Sequence, residues 1–433
     1  MIMDAAYLLR LFLWGMKMYF NSKGDVVYKE TGVDIRKNIC HRCHNRDKKL
    51  FYEFYSELYG RDVKYCLNCI GLGRVDSMSP LKGTETRRKS EQCDYELNFE
   101  LTDIQKEASK KVVSAIRNKH HLLLHAVTGA GKTEIIFEGI KFARAHGLNV
   151  AVVSPRIDVV KEVHLRLGDA FRKSRIDLMF AGVKVKFEHH FTVCTVHQLY
   201  NFHDHFDCII VDEYDAFPLA DDKHLLGAID KAGTVDGNII IMTATPTRKM
   251  VSYVGEGNVF QIARRYHGHD LTVPVIHYGN VNKEVQRKRL NGKLKRLLDD
   301  ITAADRRVLV FFPEIKMMYD AYPLILKYFG EAETVYSGDE ARYSKVERMR
   351  AGGIKILLTT TILERGVTFK NLDVIVVHTE YFPSDTLIQI CGRVGRKPQD
   401  PTGNVHLITL YNTHHIQKTV RTINAFNKGR SVI

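Results

Sequence analysis

The chain has 433 residues, enough for two or three domains with separate cores, and its 45% hydrophobic content is that of an ordinary globular protein. Lys and Arg outnumber Asp and Glu by 64 to 50, and the net charge of +14 points to a polyanionic partner, nucleic acid first and an anionic membrane surface second. Of eight cysteines, four fall in two Cys-x-x-Cys pairs, which argues for metal rather than a disulfide framework.

The apolar run Ala5 to Phe20 is interrupted by Arg10 and Lys17 and falls short of the roughly 20 residues a membrane-spanning helix needs. Asp4 stands where a signal peptide would be basic, and no small-residue cleavage site follows. Residues 1–37 therefore read as an N-terminal docking segment of a cytosolic protein, with attachment to a membrane surface as the alternative.

Residues 38–75 contain Cys40-His-Arg-Cys43 and Cys66-Leu-Asn-Cys69. Each pair forms a tight knuckle that aims two thiolates at one ion, and a hairpin or short helix between them returns the second pair. Four thiolates close the tetrahedron of one structural Zn²⁺, which leaves His41 and His44 as surface residues. The aromatic run Phe51 to Tyr59, with Tyr65, reads first as the filling of this module's small core. Beside Arg46, Lys48, Lys49, Arg61 and Lys64, it reads second as a platform for unpaired bases. Residues 76–95 are polar and read as a linker.

An α/β domain spans 96–250. Thr102-Asp-Ile-Gln105 is a capping box that starts a helix running to about Asn118. Next, the apolar strand Leu122 to His125 enters the turn Ala126-Val-Thr-Gly-Ala-Gly-Lys-Thr133, and a helix follows. This is a phosphate cradle, with Ala126 where the usual pattern begins with Gly. Backbone N–H groups and the helix's positive end receive the β- and γ-phosphates of ATP, Lys132 reaches their oxygens, and the Thr133 hydroxyl binds Mg²⁺. Gly129 and Gly131 allow the close approach, and Thr128, Ala130 and Glu134 complete the nucleotide-binding stretch.

Apolar strands at 150–154, 191–196 and 208–211 alternate with helices, which implies a mostly parallel sheet with ligands at its carboxyl ends. Cys208-Ile-Ile-Val-Asp-Glu-Tyr-Asp215 delivers two carboxylates there. Asp212 holds the Mg²⁺, and Glu213 orients and deprotonates the attacking water. Thr243 and Thr245, after the strand Ile239 to Met242, link the γ-phosphate site to a neighbouring surface. Residues 251–268 read as a linker.

A second α/β domain spans 269–433 and has no second Gly-Lys-Thr, so it completes a nucleotide site without cradling a phosphate. Its first helix runs from about Asn282 to Ile301. Thr359 to Thr368 offers hydroxyls and backbone amides beside Arg365 and Gly366. Gln389-Ile-Cys-Gly-Arg-Val-Gly-Arg396 presents Arg393 and Arg396 on one helical face, where they stabilise charge on the transferring phosphoryl group, an effect worth about 10³ to 10⁵ in rate.

Taken in order, Thr128-Gly-Ala-Gly-Lys-Thr133, Asp212-Glu-Tyr-Asp215, Thr243-Ala-Thr245 and Gln389 to Arg396 resemble the motifs of a superfamily 2 helicase. The resemblance implies two tandem RecA-like domains, parallel sheets covered by helices, preceded by a small zinc-ribbon module. ATP sits between the domains, and a nucleic-acid strand crosses the top. Strand contacts are assigned to Ser154, Pro155 and Arg156, to Thr195 and His197, and to Thr359 and Thr360, while the Gln105 amide reads adenine. The four-cysteine module placed before the motor is similar to that of the ComFA late-competence family. This implies a DNA-dependent ATPase, cytoplasmic and peripheral at the inner face of the membrane, that draws single-stranded DNA through a membrane channel with other competence proteins. Self-association is left open. Three readings compete with it. A replication-restart helicase resembling PriA would carry more zinc cysteines, within the motor. An RNA helicase would commonly carry Asp-Glu-Ala-Asp. A non-enzymatic zinc-dependent DNA-binding adaptor would not need the complete Lys132, Asp212, Glu213, Arg393 and Arg396 set.

Overall fold

The structure is a computed structural model that describes residues 26–84, 86–182, 190–364 and 368–430. The apolar N-terminal run and the predicted Arg365 and Gly366 site lie outside the described residues.

The N-terminal module carries β1 (Val26–Thr31), β2 (Val33–Asp34), β3 (Ile39–Cys40), β4 (Phe51–Ser56), β5 (Arg61–Cys66) and β6 (Pro80–Thr84). They form three antiparallel pairs, β1 with β6, β2 with β3 and β4 with β5. The β4–β5 hairpin returns the second cysteine pair to the first, since Cys66 stands opposite Phe51.

Downstream, β7 (Leu122–Ala126), β8 (Val150–Ser154), β9 (Asp177–Met179), β10 (Phe191–Thr195), β11 (Phe206–Asp212), β12 (Gly233–Thr243) and β13 (Val259–Ile262) form one seven-stranded sheet. Its order is β13-β7-β12-β11-β8-β10-β9. Every residue of β7, β8, β10 and β11 is buried, as expected of strands covered on both faces. The register places Thr195 beside Ser154, Val211 beside Val153 and Asp212 beside Met242, so the polar ends of these parallel strands share one edge.

A second sheet consists of β14 (Val275–Tyr278), β15 (Arg307–Phe311), β16 (Ala332–Val335), β17 (Ile356–Thr359), β18 (Leu372–Val377) and β19 (Val405–Thr409). It is parallel throughout, in the order β14-β19-β18-β15-β17-β16. Contacts divide the chain into two compact units. Of the described residues, the first holds those up to 124, those in 133–243 and 248–260; the second holds those from 261 onward with the short segments 125–132 and 244–247.

In three places the elements differ from the sequence reading. Residues 76–95 are not a free linker. β6 closes on β1, and the polar stretch after it is bonded to the first sheet's domain: Arg88 pairs with buried Asp207, Asn149 Nδ2 donates to Arg87 O at 3.2 Å, and Arg144 Nη2 to Lys89 O at 2.8 Å. Residues 251–268 include an edge strand, β13, beside β7. The helix expected over 282–301 is two helices, Val281–Gln286 and Gly292–Ala303. Lys288 turns the chain in the left-handed region, and Asn291 caps the second helix by accepting from the Lys293 and Leu294 N–H groups.

Asp207 is the hub that ties down the polar stretch, because it also accepts from the buried Asn149 N–H at 2.9 Å. Asp207→Ala strands that donor and is expected to cost about 1–3 kcal/mol, read as a lower urea midpoint with an unchanged slope.

Candidate metal centre and nucleotide site

The four thiols of Cys40, Cys43, Cys66 and Cys69 are buried, and their sulfurs all lie within 4.8 Å of one another. The Cys40–Cys69 separation is 3.8 Å and the Cys43–Cys66 separation 3.6 Å. Zn–S bonds of about 2.3 Å in a tetrahedron require sulfurs about 3.8 Å apart, so the donor set fits Zn²⁺. Hydrogen bonds within the cluster lower the pKa values of Cys43 and Cys66 and raise those of Cys40 and Cys69. Four thiolates together therefore need a cation. His41 stays outside the cluster, its Nδ1 2.9 Å from Glu30.

The knuckles are built into the first sheet's domain. Arg42 is buried and donates to Leu72 O and Gly73 O, both at 3.3 Å, and to Asn201 Oδ1 at 2.6 Å. Lys231 Nζ donates to His41 O at 3.0 Å and Arg42 O at 2.5 Å. One apolar core runs from Phe51, Val75 and Leu81 to Val196, Leu199 and Ile229. The aromatic run is not core as expected: Phe51 is buried, but Tyr52 and Tyr55 are 53% and 63% exposed. Tyr52 and Phe54 stack beside Tyr65, with the Arg74 guanidinium over Phe54 and Tyr65. A module this small shares its interior with its neighbour and leaves one hairpin face outside.

In the phosphate loop, Gly129 has φ +83° and Gly131 φ +74°, left-handed values that favour glycine at both positions. Thr128, Ala130 and Thr133 are buried, while Lys132 is half-buried at the start of the helical turn Lys132–Ile135. Gln105 is buried, and its oxygen accepts from the Thr102 N–H at 2.9 Å and hydroxyl at 3.1 Å, so its side chain closes the helix Asp103–Arg117. Glu134 lies 3.6 Å from Arg166, on the helix Ile157–Ala170. Burial alone would lower the Arg166 pKa, but the carboxylates of Glu162, Glu134 and Asp212 raise it. Arg166 thus pairs with one predicted site carboxylate, Glu134, and feels the charge of a second, Asp212, from a helix that the sequence reading passed over.

Asp212 ends β11, and its Oδ1 accepts from the Glu213 N–H at 2.9 Å. Glu213 takes φ +54°, a conformation that costs a non-glycine residue about 1–2 kcal/mol. Thr243 donates to Asp215 at 2.6 Å, tying the ends of β11 and β12 together. In the second unit, the helix Ser384–Cys391 ends before both arginines, so Arg393 stands in the following turn and Arg396 just after it rather than on one helical face. Arg393 is buried and donates from Nε to Glu364 O at 2.6 Å; Arg396 donates to Gly392 O at 2.9 Å. Arg265 went unnoticed in the stretch read as a linker. Burial first, and then the charge of Arg396, push its pKa down to about 10.

The expected strand-contact residues divide by exposure. Arg156, His197 and Thr360 are half-buried, whereas Ser154, Pro155, Thr195 and Thr359 are buried. Burial lowers the His197 pKa, against the opposing charge of Asp222. Thr359 donates its hydroxyl to Thr360 O at 3.1 Å.

Residues 98–248 match the family described as type III restriction enzyme, res subunit, and residues 291–398 match the helicase conserved C-terminal domain. Residues 16–83 match the competence protein ComFA N-terminal domain. The chain is 32% identical to competence protein ComFA of Bacillus subtilis, covering 88% of this chain and 84% of that protein. It is 34% identical to competence protein ComFA of Streptococcus pneumoniae, covering 90% and 91%.

The chain belongs to the ComFA family.

Its two sheets are those of a helicase-like motor. The fold of this ComFA-family chain is similar to that of Saccharomyces cerevisiae Dbp5 bound to RNA and ADP BeF3, with a TM-score of 0.57 over 77% of this chain and 89% of that one, at 13% identity. Among the described residues of this ComFA-family chain, no helix is long and apolar enough to cross a membrane.

Proposed function

We propose that the protein is an ATP-driven translocase on single-stranded DNA that serves the uptake of transforming DNA across the cytoplasmic membrane. The observation that carries this reading is the phosphate loop leaving β7 in the same sheet whose strand β11 ends on Asp212 and Glu213. Lys132 and the loop N–H groups bind the phosphates, and Gln105 closes on the base. Thr133 and Asp212 would hold Mg²⁺, which would supply neutralisation of phosphate charge. Glu213 orients the water and takes its proton, and Arg393 and Arg396 neutralise the charge that grows on the transferring group. The four cysteines hold one structural Zn²⁺.

Arg156, His197 and Thr360 carry the side-chain contacts to the strand, and the buried Ser154, Pro155, Thr195 and Thr359 shape the backbone around them. The domains 96–250 and 269–433 alternate their grip on the strand as ATP binds and is hydrolysed. The protein acts at the inner face of the membrane beside a DNA channel. Displacement of streptavidin from end-biotinylated single-stranded DNA tests the motor: ATP-dependent release is expected from one end label and not the other. Equal release with and without ATP would contradict translocation.

A further inference from the structure

The segment after β13 runs along the phosphate loop. The Val127 N–H donates to Ile262 O at 3.1 Å, and the Tyr266 N–H donates to Gly129 O at 3.1 Å. Between these bonds Arg265 is only 2% exposed. Its side chain lies along the loop, since a Cβ built on Gly129 would stand 3.5 Å from Arg265 Cγ and 3.7 Å from Nε. Nη1 donates to Gly395 O at 2.6 Å, but Nε and Nη2 are buried and, among the described residues, have no hydrogen-bond partner. Among the described residues no carboxylate pairs with Arg265, and the larger charge effect on it comes from another cation, Arg396, with a smaller opposing one from Cys391.

Buried N–H groups are paired in the great majority of native structures, and a buried guanidinium without a counter-ion is costly. A charge left in this state is complete only with an anion present. The neighbouring loop has the backbone of a phosphate cradle, and a guanidinium is the side chain that suits phosphate geometry. We infer that Arg265 is a further phosphate-binding residue of the nucleotide site, its Nε and Nη2 N–H groups donating to phosphate oxygens of bound ATP or ADP. The inference rests on the proposed ATP site. It assigns to the segment after β13 the task of sensing whether the phosphate loop is filled.

The same chemistry could come from a nucleic-acid phosphate, so the test measures both sources. Arg265→Met, Arg265→Lys and Lys132→Ala are titrated, with the wild type, against fluorescent ADP, ATP, adenosine and short oligo-dT in Mg²⁺ buffer. Arg265→Met is expected to weaken ADP and ATP binding by about 10- to 100-fold, the scale of a charge-assisted bond, with adenosine and oligo-dT binding unchanged. Arg265→Lys keeps the charge without the fork and is expected to fall between. The Tm of Arg265→Met without nucleotide is expected to hold or rise, because a buried unpaired charge is removed, while its rise on adding ADP shrinks. A purely structural arginine would show the reverse.

Unchanged nucleotide affinity in Arg265→Met would overturn the inference, as would a loss confined to oligo-dT. If Arg265→Met does not fold, Arg265→Lys decides by the same nucleotide criterion. No binding of ADP or ATP by the wild type would instead sink the ATP-site reading. Loss in Lys132→Ala with retention in both Arg265 variants would sink the Arg265 assignment alone.

Discussion

Lys132→Ala is expected to reduce ATP turnover by at least about 10³-fold, the scale on which one charge aimed at a transferring phosphoryl group acts. The same substitution should leave the fold alone. Lys132 is half-buried, and the described residues give it no hydrogen bond or ion pair, so its ammonium is held by nothing that the substitution would strand. Its Tm should stay within a few degrees of the wild type, as surface-like substitutions do. Steady-state hydrolysis with a melting curve on the same preparation checks both halves. Turnover near the wild-type rate would remove the phosphate loop from the active site, and a collapsed melt would make the loss uninformative about chemistry.

Removal of Zn²⁺ is expected to have the other large effect, and it should not stay within the module. Structural zinc sites of this type contribute on the order of 10 kcal/mol of folding free energy, comparable with the whole stability of a domain. Phe51, Val75 and Leu81 share one core with Val196, Leu199 and Ile229, and Arg42 and Lys231 pin the first knuckle to the motor domain. A chelator, or Cys69→Ser, should therefore lower the Tm of the first unit and reduce ATP turnover with it. A tethered module would melt separately and leave turnover intact. Elemental analysis should find one Zn²⁺ per chain, and its absence from active protein would contradict the metal assignment.

The phosphate loop and the Asp212-Glu213 strand end were legible because their chemistry fixes residue types: two glycines where φ is positive, and carboxylates at the end of an apolar strand. Polarity misled over 76–95, where Arg88 and the backbone of Arg87 and Lys89 serve buried partners on another element rather than solvent. Leucine periodicity carried one helix through Asn291-Gly292, although an Asn cap before Gly is a start signal in its own right. The four-residue run Val259 to Ile262 was too short for periodicity to separate a strand from a connection, and Arg265 was lost with it. The aromatic hairpin was assigned to the interior by composition. Which face of a hairpin is covered depends on the neighbouring domain, and a local pattern does not carry that information.

The most direct test of the motor is ATP hydrolysis by the wild type with no nucleic acid, single-stranded DNA, duplex DNA and RNA, at matched nucleotide concentration and fixed salt. Strong stimulation by single-stranded DNA, weak or none by duplex or RNA, and loss of all of it in Lys132→Ala is the predicted result. Stimulation by RNA or duplex instead, or turnover indifferent to every nucleic acid, would contradict a motor that runs on single-stranded DNA.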